Sequence, residues 1–268
     1  MSRSFTYFLK DRDKPLYDEY VMERYQEGLT GKGTVTPKPK LIFEQPKFRD
    51  KDICDELDRI SELNTTHSAK TYLVQRGVKE EHLKSLYYCP KFKEWTNTHK
   101  KIFKDTDNDD ERIIIPLRDT NGNLFGYQGR SLDPKNKMRY ITIMLEDKPK
   151  IYGLDKINKE ETVYVVEGPF DSMFLSNSIA MCGSDVDLSD FNYKLVYVFD
   201  NEPRNVQIVK RIEQVIDKGQ SVVIFPPDIK QKDLNDMVLN GLDVQNVVEC
   251  NTYSGLEAKL KVNYWKKV

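Results

Sequence analysis

The sequence predicts an α/β protein in which a parallel sheet flanked by helices is preceded by a smaller mixed α+β subdomain. Beyond residue 157, short apolar runs rich in β-branched and aromatic residues recur: Val163-Tyr164-Val165-Val166, Leu195-Val196-Tyr197-Val198-Phe199 and Val222-Val223-Ile224-Phe225. Helix-patterned stretches stand between them, the order expected of parallel strands covered on both faces by crossover helices. A different texture predicts the smaller part. Ile113-Ile114-Ile115-Pro116-Leu117 and Leu124-Phe125-Gly126-Tyr127 flank a polar turn containing Asn121-Gly122, and an Asn-Gly pair supplies the positive backbone angles of a tight hairpin.

The elements follow in chain order. Residues 13–26 are rich in helix formers and predict a helix ending at Gly28, after which Gly31, Gly33, Pro37, Pro39 and Pro46 make residues 28–50 a linker. Ile53, Leu57, Ile60 and Leu63 recur at helical spacing and predict a helix from about Asp52. A second short helix carries Ala69, Tyr72, Leu73 and Val74 and stops at Gly77, and residues 79–86 offer a further helical turn or two. After the hairpin, residues 140–145 complete a small sheet. The strand at 163–166 leads through Glu167-Gly168-Pro169 into a helix from about Asp171. The strand at 195–199 leads into a long helix with Val206, Val209, Ile212, Val215 and Ile216 on one face and Gly219 beyond its end. These elements divide the chain into an N-terminal helix and linker (1–50), a basic subdomain (51–156) and a sheet-bearing subdomain with its tail (157–268).

Composition narrows the classes. Hydrophobic residues are 38% of the chain and mean hydropathy is −0.65, and no run approaches the roughly 18 apolar residues of a membrane span. The N-terminus has no continuous apolar stretch or cleavage site of a secretory signal. The four cysteines, Cys54, Cys89, Cys182 and Cys250, lie far apart; they write neither a zinc ribbon nor a disulfide framework, and a cytoplasmic location is expected. The net charge of −1 hides a polarity: residues 1–150 carry 29 Lys+Arg against 25 Asp+Glu, and residues 151–268 carry 13 against 18. Between Arg112 and Lys150 stand eight basic and four acidic side chains, a segment that suits either a solvated face or a polyanion.

The strand ends of the parallel sheet carry the chemistry, because ligands bind where loops and helix N-termini converge at the carboxyl edge. Glu167 and Asp171 follow the first strand, Asp200 and Glu202 the second, and Lys232-Asp233-Leu234-Asn235-Asp236 the third by way of a loop. Asp171 or Asp233 alone reads better as a helix cap than as part of a site. Acids at the ends of successive strands, with a glycine after Glu167 that lets the backbone turn tightly, read together as a site for Mg²⁺ shared with substrate phosphates.

This constellation, E-G-x-x-D, then an acidic pair, then K-D-x-N-D, resembles the Toprim domain of DnaG-type primases, topoisomerases and related nucleases. The region before it narrows the likeness to primases. Tyr72-Leu73-Val74-Gln75-Arg76-Gly77 resembles a Y-L-x-x-R-G segment, and Arg112-Ile113-Ile114-Ile115-Pro116-Leu117-Arg118-Asp119 with Gly122, Gly126, Gly129 and Arg130 is similar to the run that precedes the Toprim sheet in those enzymes. Met138 to Thr142 and Ile151 to Leu154 match two further primase stretches more loosely. The likeness spans roughly residues 68–240 and is strongest to primases of T-even-type tailed phages, through Phe199-Asp200-Asn201-Glu202-Pro203-Arg204-Asn205. Two departures stand out. The usual second aspartate is Glu202, and the Cys-rich zinc ribbon that begins such primases is missing, so the sequence is a fragment or the zinc module is a separate polypeptide.

The resemblance implies template-directed synthesis of RNA primers on single-stranded DNA from ribonucleoside triphosphates. It implies catalytic roles for Glu167 and Asp171 and Mg²⁺, with Mn²⁺ as an alternative, on Asp200, Glu202 and Asp233; no zinc is expected in this chain. Arg118, Arg130, Lys137 and Arg139 are expected to hold nucleic-acid phosphates and Lys232 nucleotide phosphates. A replicative helicase is an implied partner, as is a separate zinc-binding module; no membrane is. Two alternatives stand beside this reading: a Toprim-type nuclease using the same carboxylates, and a truncated core that binds single-stranded DNA or a helicase without synthesis.

Overall fold

The computed structural model describes residues 5–26, 52–183, 188 and 191–268. The chain falls into two compact units, residues 1–50 and 51–268. In the first, helices α1 (Phe5–Arg12) and α2 (Lys14–Gln26) are punctuated by Asp13, whose carboxylate accepts the Leu16 N–H at 3.1 Å. The expected linker, residues 28–50, lies outside the described residues.

The second unit holds two sheets. One is antiparallel, in the order β1 (Asp58–Arg59), β2 (Tyr87–Cys89), β3 (Arg112–Arg118), β4 (Leu124–Ser131), β5 (Tyr140–Met144). Its centre is the expected hairpin, with Gly122 in the turn at φ +79°. Pro116 lies beyond the β2 ladder, which pairs only with residues 112–114, and stands opposite Tyr127 of β4. The triple isoleucine serves both faces: Ile113 and Ile115 enter one apolar cluster, and Ile114 enters a second with Cys54, Tyr87, Phe92 and Tyr127. Helix α5 (Phe92–His99) covers that second cluster, and Asp109 caps it by accepting the Lys93 and Glu94 N–H groups at 2.7 and 2.9 Å.

The other sheet runs β11 (Thr252–Tyr253), β10 (Ser221–Val223), β9 (Leu195–Tyr197), β7 (Val163–Val166), β8 (Ser178–Met181), β6 (Ile151–Tyr152). Its four central strands are parallel and its two edges antiparallel. Its helices are α6 (Pro169–Ser172), α7 (Val206–Asp217), α8 (Leu234–Leu239), α9 (Val244–Cys250) and α10 (Gly255–Trp265). Two others, α3 (Ser68–Gln75) and α4 (Glu80–Leu83), lie between β1 and β2 in the chain. The first cluster continues from Ile113, Ile115 and Phe125 into Val163, Val165, Val196 and Val222, so one core joins both sheets. Among the described residues, no helix is long and apolar enough to cross a membrane.

Three local expectations differ from what forms. Instead of a helix from Asp52, two 3-10 turns (Ile53–Glu56 and Ile60–Glu62) flank β1. The reason is that its apolar residues serve different cores: Ile53 and Leu57 pack on the second cluster and Ile60 is buried in the first. The helix expected from Asp171 is the single turn α6, after which the chain reverses through Asn177 at φ +48° into β8, a strand the sequence reading lacked. Nor does Gly168 serve an unusual backbone angle, since its φ is −130°. A Cβ there would lie 3.0 Å from the Asp171 carboxylate, so the glycine allows that carboxylate to fold back over the turn.

Candidate active site

The carboxyl edge of the parallel sheet gathers the acids. Glu167 leaves β7, and Pro169, whose missing N–H costs nothing at the first helical position, starts the turn that carries Asp171. Beyond β9, Val198 and Phe199 stay buried before Asp200 emerges. Asp233 caps α8, accepting the Asp236 N–H at 2.8 Å; the capping role is real, and the same residue lies close enough to raise the proton affinity of both Asp171 and Asp200.

Three basic side chains balance this edge. Arg211 on α7 pairs with Glu167 while its guanidinium lies 4.8 Å from the centroid of the Phe199 ring. Lys232 Nζ lies 3.3 Å from Glu202 Oε1 and 3.9 Å from Asp200 Oδ2. Arg76 lowers the proton affinity of Asp171 electrostatically. The balance is incomplete. Burial, then the charges of Asp233 and Asp200, push Asp171 up to about 7. Burial, then Glu167, push Asp200 up to about 7. Burial also raises Glu167 against the pull of Arg211.

Asn201, between the two acids of the second motif, fixes the edge. Its backbone N–H donates to the Lys232 carbonyl at 2.6 Å, its Nδ2 to the Ile229 and Gln231 carbonyls at 3.0 Å each, and its Oδ1 accepts the Trp265 Nε1–H at 3.0 Å. The loop bearing Lys232 and Asp233 is thereby laced to the end of β9. Asn235, 4% exposed, donates from Nδ2 to the Arg76 carbonyl and ties α8 to the Arg76-Gly77 turn.

The basic residues divide. Arg130 lies 4.7 Å from the Tyr140 centroid and 5.7 Å from that of Tyr72; Arg76 lies 5.6 Å from both Tyr72 and Phe170. Two guanidinium groups are thus held among three rings beside Asp171, and the Nε of each is buried with no hydrogen-bond partner. Lys137 and Arg139 are exposed on the loop between β4 and β5. Arg118 stands elsewhere. It pairs with Asp52 and donates to the Gly122 carbonyl at 3.2 Å, and it lies opposite Leu124, six residues along β4 from Arg130, about 20 Å at the rise of a strand. Of the two tyrosines in this segment, Tyr127 is buried and donates to Thr96 Oγ1 at 3.0 Å, whereas Tyr140 is 41% exposed.

Glu167, Asp200 and Glu202 offer oxygen donors only, which suits a hard cation such as Mg²⁺ that keeps several waters and shares substrate phosphates. Among the described residues, no three His, Cys, Asp or Glu side chains gather into a ready cage. The four cysteines are free, and three are buried.

No protein-family model matches the chain. The DNA primase of enterobacteria phage T4 is 32% identical over 277 residues, covering 97% of this chain and 78% of the T4 protein. The chain belongs to the DNA primase family. The Mycoplasma genitalium DNA primase is 28% identical over 190 residues, 64% of this chain and 30% of that longer primase. Among solved structures, the RNA polymerase domain of Mycobacterium tuberculosis primase DnaG superposes with a TM-score of 0.55 at 20% identity, covering 73% of this chain and 80% of that one. A DnaG primase catalytic domain bound to single-stranded DNA gives 0.54 at 17% identity, covering 72% and 73%. The α/β fold is that of the primase catalytic core.

In this primase, several site residues escaped the reading of the sequence. Arg76 stood inside a recognised segment without a role. Asn201 and Asn235 also stand inside recognised stretches without a role, because their partners lie up to 159 positions away. Arg211 has no motif, and only its place on the first helix after Asp200 hints at it.

Proposed function

We propose that this chain is a primase catalytic core, a DNA-directed RNA polymerase that makes short primers on single-stranded DNA by metal-dependent nucleotidyl transfer during phage replication. The observation that carries the reading is the juxtaposition at one sheet edge of Glu167, Asp171, Asp200, Glu202 and Asp233 with the Arg76–Arg130 guanidinium pair: a polyanion has a cationic seat beside carboxylates that need a cation.

Asp200 and Glu202, with Asp233 behind them, would hold Mg²⁺ or Mn²⁺. Such an ion supplies charge neutralisation at the transferred phosphoryl group. Glu167, with its proton affinity raised by burial, is suited to take the proton of the attacking ribose hydroxyl, and Arg211 keeps its carboxylate aimed at the edge. Asp171 adds negative charge beside it. Arg130, Lys137 and Arg139 would track the phosphates of template and nascent RNA without reading bases, and Lys232 would reach the nucleotide triphosphate. The single-stranded DNA bound to the related DnaG catalytic domain supports a template of that kind. On this reading residues 51–156 form the nucleic-acid-binding part and 157–268 the Toprim catalytic part. A replicative helicase and a separate zinc-binding module are the expected partners, in the cytoplasm of an infected host.

The test is primer synthesis with single-stranded DNA, labelled ribonucleotides and Mg²⁺. Asp200→Ala is expected to reduce synthesis at least a hundredfold, in line with loss of a group acting in the transition state, while leaving the circular dichroism spectrum and DNA binding nearly intact. An Asp200→Ala protein that still makes primers at the normal rate overturns the assignment.

A further inference from the structure

We propose that Lys232 is the resident cation of the Asp200–Glu202 pair, and that its ammonium and a divalent ion exclude one another from those carboxylates. The inference rests on the metal-site reading above and adds a competitor built into the chain.

The geometry isolates one mobile charge on a fixed base. The Lys232 carbonyl is pinned by the Asn201 N–H at 2.6 Å, and Asn201 also binds the carbonyls of Ile229 and Gln231. The next residue, Asp233, is committed as the α8 cap. The backbone on both sides is therefore held, while the Lys232 side chain is 55% exposed. Among the described residues, its Nζ pairs with Glu202 Oε1 at 3.3 Å and Asp200 Oδ2 at 3.9 Å, the oxygens expected to take the metal.

Arg211 makes an instructive contrast. Its guanidinium is stacked on Phe199 and bound to Glu167, so it is held by packing as well as by charge. Lys232 lies over no aromatic ring among the described residues. A lysine ammonium is a compact, hydrated point charge on a flexible stem, and an exposed ion pair is weak enough to yield to a divalent ion. Displaced from the carboxylates, the same side chain can swing from its fixed backbone toward a nucleotide phosphate. One residue would thus stabilise the acid pair before loading and serve the triphosphate after it.

The test uses Mn²⁺ alone, without nucleotide or DNA, with the free ion followed by electron paramagnetic resonance. Lys232→Met is expected to bind Mn²⁺ about two- to fivefold more tightly than the parent protein, the size of an exposed ion pair converted to a binding ratio. Lys230→Met is the control: it removes the same charge two residues away, from a side chain that donates to the Pro227 carbonyl, and should change affinity less than twofold. Unchanged or weaker binding by Lys232→Met overturns the proposal, as does an equal gain in Lys230→Met, which would make the effect one of general field. A second measurement needs no variant. Acetylation of Lys232 by acetic anhydride, read by peptide mass spectrometry, should rise severalfold when saturating Mn²⁺ is added; a constant or falling rate refutes the exclusion. If the parent protein binds no Mn²⁺ at all, the metal-site reading fails and takes the proposal with it; if it binds while both signatures are missing, the proposal alone fails.

Discussion

At Asp171 the folded chain holds a carboxyl group at about 7, where the unfolded chain has it near 3.8. Between those values the native state binds a proton that the unfolded state releases, so this group's contribution to stability is greatest at low pH and is lost as pH rises through the folded value. Without divalent ions, Asp171→Asn should therefore stabilise the protein by about 1–3 kcal/mol at pH 8 and have little effect at pH 4. Urea denaturation at the two pH values checks this, and an equal effect at both would show that burial and the neighbouring acids do not govern Asp171. The acids themselves were legible in the sequence because a strand end is a place that sequence can mark. Arg211 and Asn201 were not, because their meaning lies in what they touch across elements.

Among the elements, the strands of the central hairpin impose the tightest steric demand. Gly129 on β4 faces Phe92 of α5 so closely that a Cβ would stand 2.4 Å from the ring. Phe92 is fully buried and also lies under Arg112, whose guanidinium is 5.1 Å from its centroid, so the ring cannot move aside freely. Gly129→Ala should cost about 1–3 kcal/mol, as overpacking of a filled core does, and should lower the urea midpoint with an unchanged m-value. A second alanine substitution, at Gly168, tests the site rather than the core. A Cβ there would meet the Asp171 carboxylate at 3.0 Å, and primer synthesis should fall more than tenfold with little loss of stability, measured on the same sample. The hairpin was legible because its Asn-Gly turn and its β-branched and aromatic flanks agree. The segment at 52–63 was not, because helical spacing arose there from residues that feed two cores on opposite faces of a sheet.

Over the whole molecule, the charge polarity read from composition overstates what is available to a polyanion. Of the basic residues between 112 and 150, Arg112 is buried and bound to Asp110, Arg118 is paired with Asp52, and Lys148 bridges Asp119 and Glu146. Folding spends these charges on the hairpin and its surroundings, a distinction that no count along the chain can make. Arg130 remains against Tyr140, which in turn lies against Phe170, and Lys137 and Arg139 remain exposed on the loop between β4 and β5. If three of them neutralise phosphates, the logarithm of the single-stranded DNA affinity should fall against that of salt with a slope of about −2, at roughly 0.7 per phosphate. Removing Lys137 and Arg139 together should make the slope shallower by about 1.4 and weaken binding to all sequences alike. Arg118→Ala should leave the slope unchanged and instead lower stability by about 1 kcal/mol through the lost Asp52 pair. Fluorescence anisotropy across a salt series separates the two outcomes: a shallower slope in Arg118→Ala would return that residue to the nucleic-acid surface, and an unchanged slope in the double variant would move the DNA path away from the loop between β4 and β5.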